Sequence, residues 1–207
     1  HRWSSIHIVA NSQATLRAMS ISARARVVYN GMGLPDSETT LRACSEEDVK
    51  LVARKSCGLE QLNVDTPVLV AVGHLAPLKG YETFLTSLVQ LRPKWPKIRV
   101  FIVGGAPYVA FQEEQRRLYD LCSEWRLNEM VTWVGASSNP LGWIRSSDMV
   151  VQPSLTEGLG RTSIEAGLCS RPTVASRVGG LPEVVLHGDT GLLVPPNDPK
   201  ALAKAID

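Results

Sequence analysis

The sequence predicts an α/β fold, an open parallel sheet with helices on both faces. Three observations predict it. Short apolar runs such as PVLVAV (67–72) and IRVFIV (98–103) lack in–out alternation, as strands buried on both sides do. Stretches with helical spacing separate them, for example Tyr81, Phe84, Leu85, Leu88 and Leu91. Glycines follow the runs at Gly73, Gly104-Gly105 and Gly135, where a strand must give way to a loop.

The elements follow in order. Ile6 to Ala10 reads as a buried strand, Asn11-Ser12 opens a short helix to about Met19, and Val27-Val28-Tyr29 is a second strand closed by Asn30-Gly31. Residues 35–63 are polar and helical in pattern, with an acidic helix start at Ser45-Glu46-Glu47-Asp48 and a stop at Gly58. A strand over 67–72 leads through the loop Gly73 to Gly80 into a helix over 81–91, which Pro93 and Pro96 end. Next come a strand over 98–103, an amphipathic helix over 111–126 and the strand Val131 to Val134. A short helix holds Trp143 to Arg145, and Asp148 to Val151 is a strand whose following helix runs to about Leu168. Thr173 to Ala175 and Gly191 to Val194 are the last strands, with a turn at Gly179-Gly180, a short helix over 182–186 and a turn at Gly188-Asp189 between them. Asp198 and Pro199 form a helix start that should continue past Ile206, and the chain begins at His1, so a piece of a longer chain is expected.

Composition narrows the function. A formal net charge of +2 is too small to argue for nucleic acid as a partner. Cys44, Cys57, Cys122 and Cys169 form no CxxC pair and read as reduced structural thiols of a cytoplasmic protein. No apolar run approaches a membrane span, and no secretory signal is present. The loop from Gly73 to Lys79 lacks the second glycine and the Ser/Thr of a Walker loop, and Gly104-Gly105-Ala106-Pro107 is not GxGxxG. HExxH, EF-hand and GxSxG patterns are absent.

The stretch Gln152 to Gly167 carries the chemistry. It reads as strand end, glycine loop and helix start, with Glu157 in the loop and Glu165 on the helix. Exposed N–H groups at a helix start attract anions, and glycines let backbone approach them. Such a stretch suits a ligand with a phosphate in the middle and hydroxyls at both ends. Lys79, Gly104-Gly105, Gly135 and Glu157 all follow strands and should gather on one rim, where open α/β sheets bind ligands. A cation at a helix start, as Lys79 is, calls for a counter-charge, and a bound anion would supply it.

The run PSLTEGLGRTSIEAGLCSRPTVASRVGGLPEVVLHGDTGLLVPPNDPKALAKAI resembles retaining glycosyltransferases of family four, with the GT-B fold, and VLVAVGHLAPLKG, VFIVGGAP and VTWVGAS match the same order of elements. The resemblance implies that residues 27–207 are a Rossmann-like, nucleotide-sugar-binding domain, cut at its C-terminus. It implies that residues 1–26 are last elements of an acceptor-binding N-terminal domain, or the crossover from it. It further implies Glu165 on the ribose hydroxyls and Glu157 on the transferred sugar. Gly158, Leu159 and Gly160 would line that sugar, and the N–H groups of Arg161 and Thr162, together with Lys79, would meet the diphosphate. Gly73 and His74 would border the donor, and backbone near Gly135 the base. His74 stands where the family often has arginine. A histidine lacks the five-donor fork of a guanidinium, so the diphosphate clamp is expected to be weaker or to depend on the histidine's charge.

The reaction implied is retaining transfer of a hexose from a nucleoside-diphosphate sugar, UDP-hexose being the common donor, to an acceptor hydroxyl in polysaccharide or glycoconjugate synthesis. Lys79 and Glu157 are the candidate catalytic residues. Lys79 and the helix start would stabilise the leaving diphosphate, so no metal and no cofactor are expected. The partners implied are the donor and the N-terminal acceptor domain. Contact with the inner face of a membrane is left to that other half. Two alternatives stay open, a non-catalytic nucleotide-sugar-binding module and a synthase or epimerase-like enzyme on the same fold.

Overall fold

The computed structural model describes residues 8–18, 25–29 and 45–207. Its first unit is a two-stranded parallel pair, β1 (Ile8–Ala10) and β2 (Ala25–Val27), connected through α1 (Gln13–Ala18). The second strand lies earlier than the run Val27-Val28-Tyr29 suggested. All three β2 residues pair with β1. Val28 still donates to the Ala10 carbonyl at 2.9 Å, so the chain runs on in the same direction with Val28 and Tyr29 exposed. Ile6, His7, Asn30-Gly31, Cys44 and the stretch 35–44 lie outside the described residues.

The main unit opens with α2 (Glu46–Ser56). Ser45 caps it, accepting from the Asp48 N–H, and Gly58 leaves it at φ +69°. The polar pattern of this segment conceals one buried charge. Arg54 is 1% exposed and donates to the carbonyls of Asn63, Val64, Thr66 and Ser146, which ties α2 to its following loop and to the segment just before the strand at Met149. Burial lowers its pKa, partly offset by Asp148.

The sheet then forms from β3 (Val68–Val72), β4 (Arg99–Val103), β5 (Val131–Gly135), β6 (Met149–Gln152), β7 (Thr173–Ser176) and β8 (Gly191–Val194). All neighbours are parallel, in the order β5-β4-β3-β6-β7-β8. Leu69 and Ala71 pack on one face with Phe84, Leu85, Leu118 and Leu202. Val68 and Val70 pack on the other with Phe101, Ile144, Val150 and Ala166. The missing polar alternation thus reflects helices on both sides: α3 (Tyr81–Leu91), α4 (Val109–Glu124) and α8 (Pro199–Ile206) against α5 (Pro140–Ser146) and α6 (Arg161–Leu168), with α2 packed on α5. The connection from β7 to β8 holds α7 (Leu181–Val184).

The helices expected over 111–126 and 182–186 both begin and end earlier, the latter being α7. The second amphipathic helix starts at Val109, immediately after Tyr108. The short helix around Trp143 starts at Pro140, capped by Asn139, whose side chain accepts from the Gly142 N–H at 2.9 Å. Cys57, Cys122 and Cys169 are reduced. Among the described residues no helix is long and apolar enough to cross a membrane.

Strand order decides where the site lies. From β3 the chain adds β4 and β5 on one side, then returns to add β6, β7 and β8 on the other. The two loops leaving β3 and β6 therefore diverge and open a crevice at the strands' carboxyl ends.

Candidate functional site

The crevice between those loops has a volume of about 430 Å³ and is lined by Gly73, His74, Lys79, Glu157, Gly158, Leu159, Gly160, Arg161, Thr162 and Glu165, with Asn11, Val72, Pro140 and Gln152. A neighbouring cavity of about 470 Å³ shares Val72, Gly73, His74 and Pro140 and extends past Gly104, Gly105 and Pro107 to Ala136 and Ser137. Of the residues singled out from sequence, only Gly135 lines neither cavity. It ends β5 at φ +77°, with its carbonyl held by the Gly104 N–H at 2.7 Å. Its two successors face the second cavity in its place.

Close backbone approaches build the walls. Gly80 sits at φ +67°, and a Cβ there would lie 2.1 Å from the Pro153 carbonyl oxygen. That contact joins the β3 loop to the β6 loop, as does the Leu155 N–H on the Leu78 carbonyl at 2.8 Å. Gly179, at φ +51°, lies against Glu157, and the Gly180 N–H donates to the Gly158 carbonyl at 2.9 Å. The Gly179-Gly180 turn is thus the backing of the glycine loop.

Lys79 leaves a short 3-10 turn (Pro77–Lys79), and its Nζ meets Glu157 Oε2 at 2.6 Å. The counter-charge that its position called for is Glu157. Both side chains are partly covered, Lys79 at 30% and Glu157 at 16% exposure, so the pair is neither fully screened nor sealed from a ligand. Gln152 Nε2 donates to the same Glu157 oxygen at 3.0 Å, and Ser154 Oγ lies 3.4 Å from it. Gln152 is in turn held by Ser163, whose hydroxyl donates to Gln152 Oε1 at 2.6 Å. Gln152 and Ser154 fall in the stretch read as site-bearing from sequence, yet no pattern singled them out. Their role follows from the turn of the loop, which folds Glu157 back over the end of β6.

Eight residues on, Glu165 sits on α6 with its side chain 12% exposed, and Arg161 Nη2 lies 3.4 Å from it. Burial raises the Glu165 pKa, and Arg161, one turn earlier, pulls it partly back. Gly160 starts α6 at φ +86° with no side-chain cap. Among the described residues the N–H groups of Arg161 and Thr162 take no protein acceptor, while those of Ser163 and Ile164 donate to the Gly160 carbonyl. The crevice therefore offers two unpaired N–H groups, one ammonium and two carboxylates. That set can hold an anion in the middle and hydroxyls at either side. His74 is exposed at the junction of the two cavities, its ring edge-on to Tyr108 with centroids 6.1 Å apart. No group of three or more His, Cys, Asp or Glu able to hold a metal occurs among the described residues.

A doubly wound α/β domain with a polar crevice at its switch point is thereby defined. Residues 59–207 match the family described as glycosyl transferases group 1, and the chain belongs to that family. It is 35% identical over 163 residues to D-inositol 3-phosphate glycosyltransferase 2 of Catenulispora acidiphila, covering 76% of this chain and 37% of that protein. It is 32% identical over 182 residues to the GDP-mannose-dependent alpha-(1-6)-phosphatidylinositol monomannoside mannosyltransferase of Mycolicibacterium smegmatis, covering 84% and 45%. Among solved structures, Anabaena HepE in complex with UDP and glucose superposes with a TM-score of 0.81 at 27% identity, over 97% of this chain and 52% of that one. The chain spans about half the length, or less, of these relatives. The fold is the parallel, two-faced sheet of GT-B glycosyltransferases, as the resemblance implied.

Proposed function

We propose that the crevice binds the nucleoside-diphosphate sugar of a retaining hexosyltransferase. The observation that carries this reading is the pair of unpaired N–H groups at Arg161 and Thr162, set between two carboxylates with Lys79 alongside. The diphosphate sits on the α6 start and Lys79, the ribose hydroxyls donate to Glu165, and the transferred sugar lies against Glu157 and Gly158 to Gly160. The base occupies the second cavity, near Ala136 and Ser137. Breaking the sugar–phosphate bond places charge on the leaving diphosphate. Lys79 and the α6 N–H groups stabilise that charge where it develops, which is what lowers the barrier. The acceptor oxygen then bonds to the anomeric carbon on the face the diphosphate has left, and its proton passes to the departing diphosphate oxygen.

UDP-hexose is the first donor to test, because HepE was solved with UDP and glucose. GDP-mannose is the second, because the Mycolicibacterium relative depends on it. The acceptor and its pathway, read as polysaccharide or glycoconjugate synthesis, belong to the N-terminal half of such enzymes. The 207-residue chain alone is therefore expected to bind donor and form no glycosidic product.

Lys79→Ala tests the diphosphate assignment. Calorimetry with UDP, GDP and ADP, alone and as hexose conjugates, should show affinity falling at least tenfold, since about 2 kcal/mol is typical for a charge-assisted contact. The variant also leaves Glu157 without its cation, which adds repulsion toward the diphosphate. Unchanged affinity for every nucleotide would contradict the role of Lys79.

The raised Glu165 pKa gives a pH test. Ligand hydroxyls need the ionised carboxylate as acceptor, so donor affinity should fall with acidity, with a midpoint above the ordinary glutamate value. The stability contribution of the same group runs the other way. A carboxyl whose folded pKa is raised favours the fold below its unfolded value and loses that favour as pH rises through the folded value. Donor titrations and thermal melts over this window should therefore trend in opposite directions, and parallel trends would exclude Glu165 as the titrating ligand.

A further inference from the structure

Asn11 lines the crevice although it belongs to the first unit, more than a hundred residues away in sequence from the glycine loop. Its carbonyl oxygen Oδ1 accepts from the Thr15 hydroxyl at 2.9 Å, which fixes the orientation of the amide. The amide nitrogen then faces the glycine loop, where a Cβ on Gly158 would lie 3.3 Å from it. Among the described residues its two N–H donors take no protein acceptor. Gly158 has room for this neighbour because it carries no side chain.

The position of Asn11 is set by a latch. Ser12, fully buried, accepts from the Thr15 N–H at 3.0 Å and donates to the Gly158 carbonyl at 2.9 Å. Glu183, on α7, accepts from the N–H groups of Gln13 and Ala14, both at 2.9 Å, and from the Tyr29 hydroxyl at 2.9 Å. It thus caps a helix of the other unit. Burial pushes the Glu183 carboxyl up, but these donors and Arg17 outweigh it and hold it below the ordinary range. The carboxylate therefore keeps its charge, and the latch, at neutral pH. The backing turn Gly179-Gly180 directly precedes α7, so one segment contacts both the glycine loop and the start of α1 next to Asn11.

We infer that Asn11 is a sugar-contacting residue of the donor site and that Glu183 is the positioning residue that holds it there. The Asn11 amide donates to a hydroxyl oxygen of the transferred hexose, opposite the Glu157 carboxylate, which accepts from another. A donor on one side and an acceptor on the other read the orientation of ring hydroxyls, so the pair selects among hexoses. The inference rests on the donor-site reading above.

The test compares each nucleoside diphosphate with its hexose conjugate, UDP against UDP-glucose and GDP against GDP-mannose, by calorimetry on the 207-residue chain. The gain in affinity on adding the hexose is the quantity read. Asn11→Ala is expected to cut that gain about tenfold while leaving nucleoside diphosphate affinity unchanged, which also shows that the variant folds. Glu183→Gln should produce the same selective loss, and the double variant should be no worse than Asn11→Ala alone, because both act through one contact. An unchanged gain in Asn11→Ala overturns the inference, as does a parallel fall for nucleoside diphosphate and conjugate, which marks a merely structural role. Absence of binding by the unaltered chain to all four probes overturns the donor site itself and this inference with it.

Discussion

Glu165→Ala should weaken binding of a nucleoside-diphosphate sugar on the order of a hundredfold, about 3 kcal/mol, while leaving the fold intact. The two halves of this expectation have one cause. Glu165 is held in a buried position that disfavours its charge, with one long contact to Arg161. Two vicinal ligand hydroxyls would satisfy it better than anything the protein provides, so its removal costs the ligand two charge-assisted hydrogen bonds. The empty protein, by contrast, loses a group that burial works against. Calorimetry and thermal melts on the same variant separate the effects. Equal losses in affinity and stability would reduce Glu165 to a structural residue.

The second large effect is expected at Gly179. A Cβ there would stand 1.7 Å from the Glu157 carbonyl oxygen, and the backbone angle, φ +51°, already disfavours a side chain. Neither partner can yield, since both are backbone. Gly179→Ala should therefore cost about 3 kcal/mol in stability by denaturant titration, from backbone strain plus displacement of the glycine loop. Donor binding should be lost together with that loop. Gly188→Ala is the matched comparison, because Gly188 is also at positive φ, +88°, but meets nothing within 4 Å. It should cost about 1 kcal/mol and leave binding unchanged. Equal costs at the two positions would mean that the close approach at Gly179 does not matter.

Much of this was legible in the sequence because it is local. The strands carry runs without alternation, so both the class of fold and the burial of the sheet on two faces could be read from them. Glu157, Glu165 and Lys79 lie at strand ends and a helix start, positions that a linear pattern marks. Reading failed where pairing, not pattern, decides. The run Val27-Val28-Tyr29 is as strand-like as Ala25-Arg26-Val27, and only the register with β1 selects the latter. Asn139-Pro140 is a cap and first-turn pair that a linear pattern does carry, and it sets the start of the helix holding Trp143. Asn11 and Glu183 are different in kind. The bonds that place them span 146 and 170 residues along the chain, Ser12 to Gly158 and Gln13 to Glu183, and no spacing rule reaches that far. Gly135 shows the converse, since a glycine ending a strand need not line a cavity; here it turns the chain so that Ala136 and Ser137 do.

The start of α6 is the proposed seat of a diphosphate. The most direct measurement follows the backbone amide resonances of the chain while UDP, GDP or ADP is added. The account predicts that the amides of Arg161 and Thr162 move furthest, with Glu165 and the loop from Gly73 to Gly80 following, and that at least one of the three nucleotides saturates the change. Shifts confined to other surfaces, or resonances of Arg161 and Thr162 that stay in place at saturating nucleotide, would contradict it.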